Sequence, residues 1–182
     1  NILHSLIFAR QKLEEAIEND EDVLISYSDI WYENGVVEKL IKSSKSISLI
    51  VDTDWRDCYE GRTDHPIHEA ENVIIDNLNN VLKIGKHINN FSDSTTNEGE
   101  FIGLWKFSSN GTKIFLDYFD RLNSELKMSD PFQNANEWRK SYMTDIFQEM
   151  IDNGEVIHSV SIQKQWKEFD TVQDFKKGIN GI

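Results

Sequence analysis

Two carboxylates lie one residue apart near the C-terminal end of the sequence, at Glu168 and Asp170. If this segment is extended, their side chains share one face of the backbone while Phe169 points to the other. Two hard oxygen ligands would then face one point, an arrangement that suits Mg²⁺. A solvated acidic turn is the alternative for this segment taken alone. A third carboxylate brought to the same place would favour the metal site.

Asp29 is the candidate for that third carboxylate. It follows a short run rich in apolar and β-forming residues, at 23–27, which stops at Ser28. Ligands of open α/β sheets bind outside the carboxyl ends of the strands, so an Asp at this position is well placed for chemistry. We therefore expect Asp29, Glu168 and Asp170 to hold one Mg²⁺ together. A turn or a helix cap is the alternative role of Asp29.

A long polar segment, residues 52–71, has no regular periodicity and directly follows a predicted strand. Loops of this kind are often functional. Arg56 and Arg62 within it are suited to bidentate contact with phosphate or phosphonate oxygens, although pairing with neighbouring acids is an equally good interpretation. Residues 65–69 contain two histidines but lack the ligand spacing of a zinc motif, so we predict no zinc there.

The composition limits the classes of function. The sequence has 182 residues, 38% of them hydrophobic, and a single cysteine, Cys58, which cannot form an internal disulfide. A formal net charge of −13 argues against nucleic acid as a partner. No apolar run has membrane-spanning length and no signal peptide is recognisable, so we expect no membrane partner and a cytoplasmic location.

Hydrophobic periodicity alternates between helical and strand-like segments along the chain. Helices are predicted at residues 3–17, 36–41, 110–126 and 136–153, and strands at residues 23–27, 47–51, 100–107 and 156–162. A β-hairpin is predicted at residues 73–76 and 81–84, followed by a polar loop at 89–97. Strands separated by helices are typical of parallel sheets. We predict a single α/β domain with a mostly parallel mixed sheet and a β-hairpin excursion.

Four segments in this order resemble one enzyme family. They are SYSDI at residues 26–30, residues 50–71, GEFIGL at residues 99–104 and EFDTVQD at residues 168–174. Together they are similar to the phosphocholine and phosphonate cytidylyltransferases of the nucleotidyltransferase superfamily, over nearly the whole chain. The acidic motif at 168–174 is fairly specific when it follows SYSDI and weak by itself.

The resemblance implies a three-layer α/β/α, GT-A-like nucleotidyltransferase fold with Mg²⁺ held by Asp29, Glu168 and Asp170. It also implies a reaction in which a small phosphate or phosphonate, such as phosphocholine or 2-aminoethylphosphonate, attacks the α-phosphorus of CTP or another nucleoside triphosphate. Pyrophosphate is released. Such chemistry depends on positioning and charge neutralisation rather than on a covalent protein group. An association or fusion with an enzyme of phosphonate metabolism is a further expectation, and no oligomeric state is predicted.

One large departure from the family concerns its Gly-rich loop, which carries an Arg, is followed by a Lys and wraps the nucleotide. This sequence contains no Gly-x-Gly. Residues 1–6 resemble the family's segment after that loop, so we expect residues 1–182 to form one nucleotidyltransferase-like domain that lacks its N-terminal nucleotide-binding portion. We also expect these residues alone not to turn over nucleotide.

The family's acceptors often carry an ammonium group, which an aromatic face beside a carboxylate can bind. Tyr142 and Asp145 stand at the aligned position of an aromatic and acidic stretch in the phosphocholine enzymes, with Trp138 one turn earlier. Their i, i+3 spacing lets Tyr142 and Asp145 face one pocket. Packing of the aromatic residues in the core is an equally good interpretation.

Two other functions remain open at this point. Asp52-Thr53-Asp54 follows a predicted strand and matches the Asp-x-Asp pattern with which glycosyltransferases of the related fold bind a metal-bridged nucleotide sugar, although the pattern is short and common by chance. The missing Gly-rich loop favours a second alternative, a non-catalytic remnant that binds a partner.

Overall fold

The computed structural model describes residues 2–88 and 95–179. Asn1 and most of the polar loop predicted at 89–97 lie outside these ranges. The described residues form a six-stranded sheet of strands in the order β5-β4-β6-β3-β7, with β1 also on β6. These strands are β1 (Val23–Ser26), β3 (Ile47–Asp52), β4 (Glu71–Asp76), β5 (Val81–Lys86), β6 (Thr96–Phe107) and β7 (His158–Ile162).

Strand β6 is the centre of the sheet because it is long enough to pair with three strands. One edge pairs with β3, while the other edge pairs with β4 through residues 96–100 and with β1 through residues 104–107. Phe101 to Gly103 therefore lie between the ends of β4 and β1. Gly103 has a φ of +78°, and a Cβ there would lie 2.3 Å from the ring of Tyr27. A side chain at this position would collide with the Tyr27 ring.

The sheet is mixed, as predicted, but it is not mostly parallel. Within the described part of this sheet only β3 and β7 pair in parallel, and the other four pairings are antiparallel. The error arises because β1 and β3 do run in the same direction, as a strand-helix-strand unit should, but the antiparallel β6 lies between them. The predicted hairpin is confirmed as β4 and β5.

Helices cover both faces of the sheet, which confirms the three-layer prediction. Four helices pack on one face: α1 (Ile2–Ile7), α2 (Arg10–Glu18), α4 (Ser109–Glu125) and α5 (Met143–Asp152). The helix α3 (Asn34–Ile41) covers the other face, where Val36 and Leu40 pack against Ile50, Ile102 and Leu104. Each described helix is too short or too polar to cross a membrane.

A small separate sheet joins two distant parts of the chain. Its strands are β2 (Ile30–Tyr32) and β8 (Trp166–Glu168), which pair antiparallel, and α6 (Val172–Ile179) follows β8. The long segment after β3 contains two short 3₁₀ helices, Arg56–Tyr59 and Ile67–Glu69. The helix predicted at 136–153 begins later, at Met143, after a 3₁₀ turn at Trp138–Lys140.

Candidate active site

The small sheet brings the three predicted carboxylates together. Ile30 lies opposite Glu168 in the pairing of β2 and β8, and the backbone N–H of Phe169 donates to the carbonyl of Asp29 at 2.9 Å. The register therefore places the residue before β2 beside the residues that follow β8. Asp29 lies close enough to Asp170 for its charge to contribute to raising the pKa of the Asp170 carboxyl, after burial. The structure thus brings Asp29, Glu168 and Asp170 to one place.

All three carboxylates line one cavity of about 160 Å³. It opens beside Phe101 and Ile102, in the gap between β1 and β4 on the edge of β6. The cavity is strongly acidic and contains several aromatic side chains. Its other lining residues are Ile2, Tyr27, Tyr59, His65, Glu69, Glu71, Lys86, Glu100, Tyr142 and Trp166.

His65 joins the carboxylates, although the sequence did not single it out. Its Nδ1 lies 2.7 Å from Asp170 Oδ2, and its Nε2 lies 4.0 Å from Glu168 Oε2. One potential ligand atom from each of His65, Glu168 and Asp170 lies within 4.8 Å of the others. Its sequence signal was weak because residues 65–69 match no metal motif, and the contact depends on the path of a long loop.

The electrostatics of this cluster favour a bound cation. Burial raises the pKa of Glu168, and the charge of Asp170 raises it further. Burial also raises the pKa of Asp170, and the nearby Asp29 acts in the same direction. These carboxylates therefore carry an electrostatic cost that a cation would relieve. Clustered carboxylate oxygens are the ligands that Mg²⁺ prefers, so the residues present fit Mg²⁺.

Arg62 lies behind this cluster, with only 7% of its side chain exposed. Its Nε and Nη2 donate to the two oxygens of Asp174 at 2.8 and 3.0 Å, and Nη2 also donates to Glu168 Oε2 at 3.1 Å. Asp174 in turn accepts from the backbone N–H of Thr171. Arg62 therefore holds Glu168 and the start of α6, and it does not line the cavity.

The position of Arg56 does not fit the expected contact with phosphate or phosphonate oxygens of a substrate. Its side chain is 54% exposed, donates to Glu98 Oε2 at 2.6 Å and stacks on the ring of Trp55. It does not line the cavity. The alternative interpretation, pairing with a nearby acid, describes its position.

The three residues expected to bind an ammonium group do not form one pocket. Tyr142 lines the cavity, and Lys86 Nζ lies 5.2 Å from the centre of its ring. Asp145 is buried, and its carboxylate accepts the backbone N–H groups of Tyr142 and Asn134 at the start of α5. Trp138 is fully buried in the core. The predicted contact between Tyr142 and Asp145 exists, but it is a helix cap, in which the Asp145 carboxylate accepts the backbone N–H of Tyr142.

Asp52, the first acid of the Asp-x-Asp pattern, is fully buried and fully hydrogen-bonded. Its Oδ1 accepts the backbone N–H groups of Asp54 and Lys164, and its Oδ2 accepts Trp166 Nε1 at 2.8 Å. The side chain of Asp54 is exposed and lies 3.3 Å from Lys164 Nζ. This pattern fixes the connection between β3 and β8.

Besides Glu69, two further glutamates line the cavity, and the sequence analysis missed them as site residues. Glu71 accepts from Tyr27 Oη at 3.2 Å and from Thr144 Oγ1 at 3.0 Å, and burial raises its pKa to about 7. Glu100 is 3% exposed and accepts from Tyr59 Oη, and burial raises its pKa to about 8. A glutamate inside a strand gives no signal of this burial in the sequence.

Comparison with known proteins agrees with this description, although no family model matches the chain. A CTP:phosphoglutamine cytidylyltransferase of Campylobacter jejuni is 27% identical over 179 residues, covering 98% of this chain and 67% of that protein. Among solved structures, the inositol-1-phosphate CTP transferase of T. maritima has a TM-score of 0.62 at 17% identity, covering 97% of this chain and 58% of its own.

A nucleoside-diphosphate-sugar pyrophosphorylase of Vibrio cholerae RC9 has a TM-score of 0.57 at 11% identity, covering 98% of this chain and 64% of its own. The chain thus spans about three fifths of the length of these solved structures and about two thirds of the Campylobacter protein. The structural matches show the fold, and the match in sequence connects that fold with cytidylyl transfer. The chain therefore has the nucleotidyltransferase fold and is similar in sequence to a cytidylyltransferase, as its sequence motifs predicted.

Proposed function

We propose that this protein is a Mg²⁺-dependent cytidylyltransferase that joins CTP to a small phosphate or phosphonate, such as phosphocholine or 2-aminoethylphosphonate. An acceptor oxygen forms a bond to the α-phosphorus, the bond from that phosphorus to the bridging oxygen of the β-phosphate breaks, and pyrophosphate leaves. The observation that carries the proposal is the meeting of Asp29, Glu168 and Asp170 with His65 in one cavity. The relatives' cytidylyl transfer supports the choice of nucleotide.

The proposed metal site uses the three carboxylates as oxygen ligands. A bound Mg²⁺ would neutralise phosphate charge and orient substrate oxygens in such a site. His65 holds the carboxylate of Asp170, and Arg62 holds that of Glu168, so both act as positioning residues. Because Asp29 is fixed through the backbone contact with Phe169, the three carboxylates are positioned by separate interactions.

The two alternatives receive less support. A glycosyltransferase would need Asp52 free to bind a metal, but hydrogen bonds occupy both of its oxygens. A non-catalytic role as a binding remnant would not explain why three carboxylates converge in one cavity, where partial burial and their mutual charge raise the pKa of Glu168 and Asp170.

The proposal is tested by pyrophosphate release from CTP by the full-length protein, with phosphocholine and 2-aminoethylphosphonate as acceptors. We expect release that needs both the acceptor and Mg²⁺ and that stops when a chelator is added. ATP, GTP and UTP in place of CTP test the nucleotide. Hydrolysis of a nucleotide sugar without any pyrophosphate release from CTP would support the glycosyltransferase. The absence of both activities would support the binding role.

A further inference from the structure

Among the described carboxylates that line the cavity, Glu100 is the one with a buried oxygen that has no hydrogen-bond partner. It lies on β6, 3% exposed, and lines the cavity. One oxygen, Oε1, accepts from Tyr59 Oη. The other, Oε2, is buried and has no hydrogen-bond partner among the described residues. A buried carboxylate oxygen without a donor is unfavourable, so this oxygen is placed to accept a hydrogen bond from a ligand.

Glu71 provides a comparison within the same cavity. Both of its oxygens have donors, Tyr27 Oη and Thr144 Oγ1. Its hydrogen-bonding capacity toward neighbouring side chains is therefore used, and it has less to offer a ligand than Glu100. Glu100 is also separate from the group of His65, Glu168 and Asp170, whose ligand atoms lie within 4.8 Å of one another. Glu100 is therefore not counted among the proposed metal ligands, and its free oxygen is open to another partner.

The tyrosine rings that line the cavity are already in contact with other side chains. Lys86 Nζ lies 5.2 Å from the ring centre of Tyr142, and the Arg62 guanidinium lies 4.9 Å from that of Tyr59. Tyr27 packs edge-on against Phe101 and Trp105. A quaternary ammonium group is recognised by several open aromatic faces around it. The tyrosines of this cavity do not offer such a cage.

We propose that Glu100 Oε2 binds a primary ammonium group of the acceptor, so that the protein takes 2-aminoethyl phosphates or phosphonates in preference to phosphocholine. This inference rests on the proposed function and narrows its acceptor. A primary ammonium carries N–H donors that satisfy the free oxygen with a charge-assisted hydrogen bond, and its positive charge favours the ionised carboxylate that burial alone disfavours. The trimethylammonium of phosphocholine has no N–H group, so it would leave that oxygen unpaired and place methyl groups against it.

The position of Glu100 suits a short acceptor. Tyr59 donates to Glu100, the guanidinium of Arg62 stacks on the ring of Tyr59, and Arg62 in turn donates to Glu168. The proposed ammonium subsite and the proposed metal site are thus neighbours, linked by two side chains. We therefore expect a molecule with two carbons between nitrogen and phosphate to place its phosphate near the metal while its ammonium contacts Glu100.

The test compares phosphoethanolamine with phosphocholine, which differ only in three methyl groups. Calorimetric titration of the full-length protein with Mg²⁺ present should show about tenfold or more tighter binding of phosphoethanolamine. Glu100→Gln keeps the size and the contact with Tyr59 but turns an N–H₂ donor toward the ligand. It should weaken phosphoethanolamine binding about 10- to 100-fold and change phosphocholine binding little.

Glu71→Gln is the matched control, because it makes the same change in a cavity glutamate whose two oxygens are both paired. It should affect the two ligands alike, so that the ratio of their dissociation constants is preserved. Circular dichroism and thermal unfolding show whether each variant folds. If Glu100→Gln does not fold, two other results test the subsite. One is the ratio of the two dissociation constants in the wild type, and the other is that ratio in Glu100→Asp, which keeps the charge but withdraws it by one methylene.

Equal binding of the two ligands by the wild type, or equal losses in Glu100→Gln, would overturn the ammonium subsite. These outcomes are distinct from failure of the proposed function. If the protein binds phosphoethanolamine selectively through Glu100 but releases no pyrophosphate from CTP, the ammonium subsite is supported and the proposed transfer reaction is wrong. If turnover is unchanged in Glu100→Gln, the proposed reaction is supported and the ammonium subsite is wrong.

Discussion

The acidic residues that follow β3 and those that surround β8 look alike in the sequence but differ in their partners. Asp52 ends β3 and uses both oxygens for hydrogen bonds to backbone and indole N–H groups. Asp170 follows β8, contacts His65 and crowds against Asp29 and Glu168. A carboxylate at a strand end is therefore a poor indicator of chemistry by itself. The number of donors left around it separates a structural acid from a ligand.

The largest expected effect comes from Asp170→Asn. The neutral amide is a much weaker ligand for Mg²⁺, so pyrophosphate release should fall about a thousandfold or more. The thermal transition should stay in place or rise slightly, because burial already disfavours the charge of Asp170. Steady-state rates and thermal unfolding measure the two effects. Full activity in this variant would show that Asp170 is not a ligand of the proposed metal site.

Asp52→Asn makes the same chemical change on the other side of the comparison. One end of the amide must then present N–H₂ to a neighbouring N–H donor, so the free energy of unfolding should fall by about 2 kcal/mol. Turnover per folded molecule should change little, because Asp52 lies outside the proposed site. Urea unfolding and rates below the thermal transition test this. A selective loss of Mg²⁺ dependence with unchanged stability would revive the Asp-x-Asp interpretation.

The pH dependence of stability reports on the cavity carboxylates whose pKa is raised by burial, and Glu100 is the largest single case. Burial raises the pKa of Glu100 to about 8, well above its value in an unfolded chain. From pH 6 to pH 8 the native state holds a proton that the unfolded state has lost, so metal-free stability falls as the pH rises. Glu100 should contribute about 2 kcal/mol of this loss, since one pKa unit corresponds to about 1.4 kcal/mol.

Urea unfolding with a chelator present, at pH 6 and pH 8, measures this loss of stability. Comparison of the wild type with Glu100→Gln gives the part of the loss that Glu100 causes. Burial raises the pKa of Glu71, Glu168 and Asp170 too, so these groups steepen the same slope in both proteins. The variant should lose less stability than the wild type between pH 6 and pH 8. An identical loss in the two proteins would show that Glu100 is charged throughout this range.

The smallest expected effect is that of Arg62→Lys. Lysine cannot keep the paired contacts with Asp174 while also holding Glu168, so the Mg²⁺ concentration for half-maximal activity should rise about tenfold. The Michaelis constants for CTP and acceptor at saturating Mg²⁺ should change less. A rise in the acceptor's Michaelis constant with unchanged Mg²⁺ dependence would instead support the expectation from the sequence, that Arg62 binds the acceptor.

The sequence predicted the layers of the fold through local patterns and the three converging carboxylates through the family resemblance. Apolar periodicity located the central strands, and the resemblance linked SYSDI to the acidic motif after β8. The strand directions were predicted less well. The position of β6 between β1 and β3 depends on pairing between distant segments, which hydrophobic patterns do not reveal.

The remaining site residues were harder to predict for similar reasons. His65 and Tyr59 reach the cavity through a loop without periodicity, and Glu100 meets Tyr59 only because that loop folds back over β6. Asp145 shows the opposite error. Its spacing from Tyr142 was interpreted as a shared pocket, whereas the same spacing is that of a helix cap, and only the true start of α5 distinguishes the two.

The small sheet of β2 and β8 has a consequence for how the protein is made. It joins residues 30–32 to residues 166–168, so the carboxylates of the cavity cannot meet until almost the whole described chain has left the ribosome. Contacts between such distant segments form late, because closing a long loop costs entropy before any contact is gained. The part of the larger sheet that ends with β6 can therefore assemble before mutual repulsion among Asp29, Glu168 and Asp170 opposes folding.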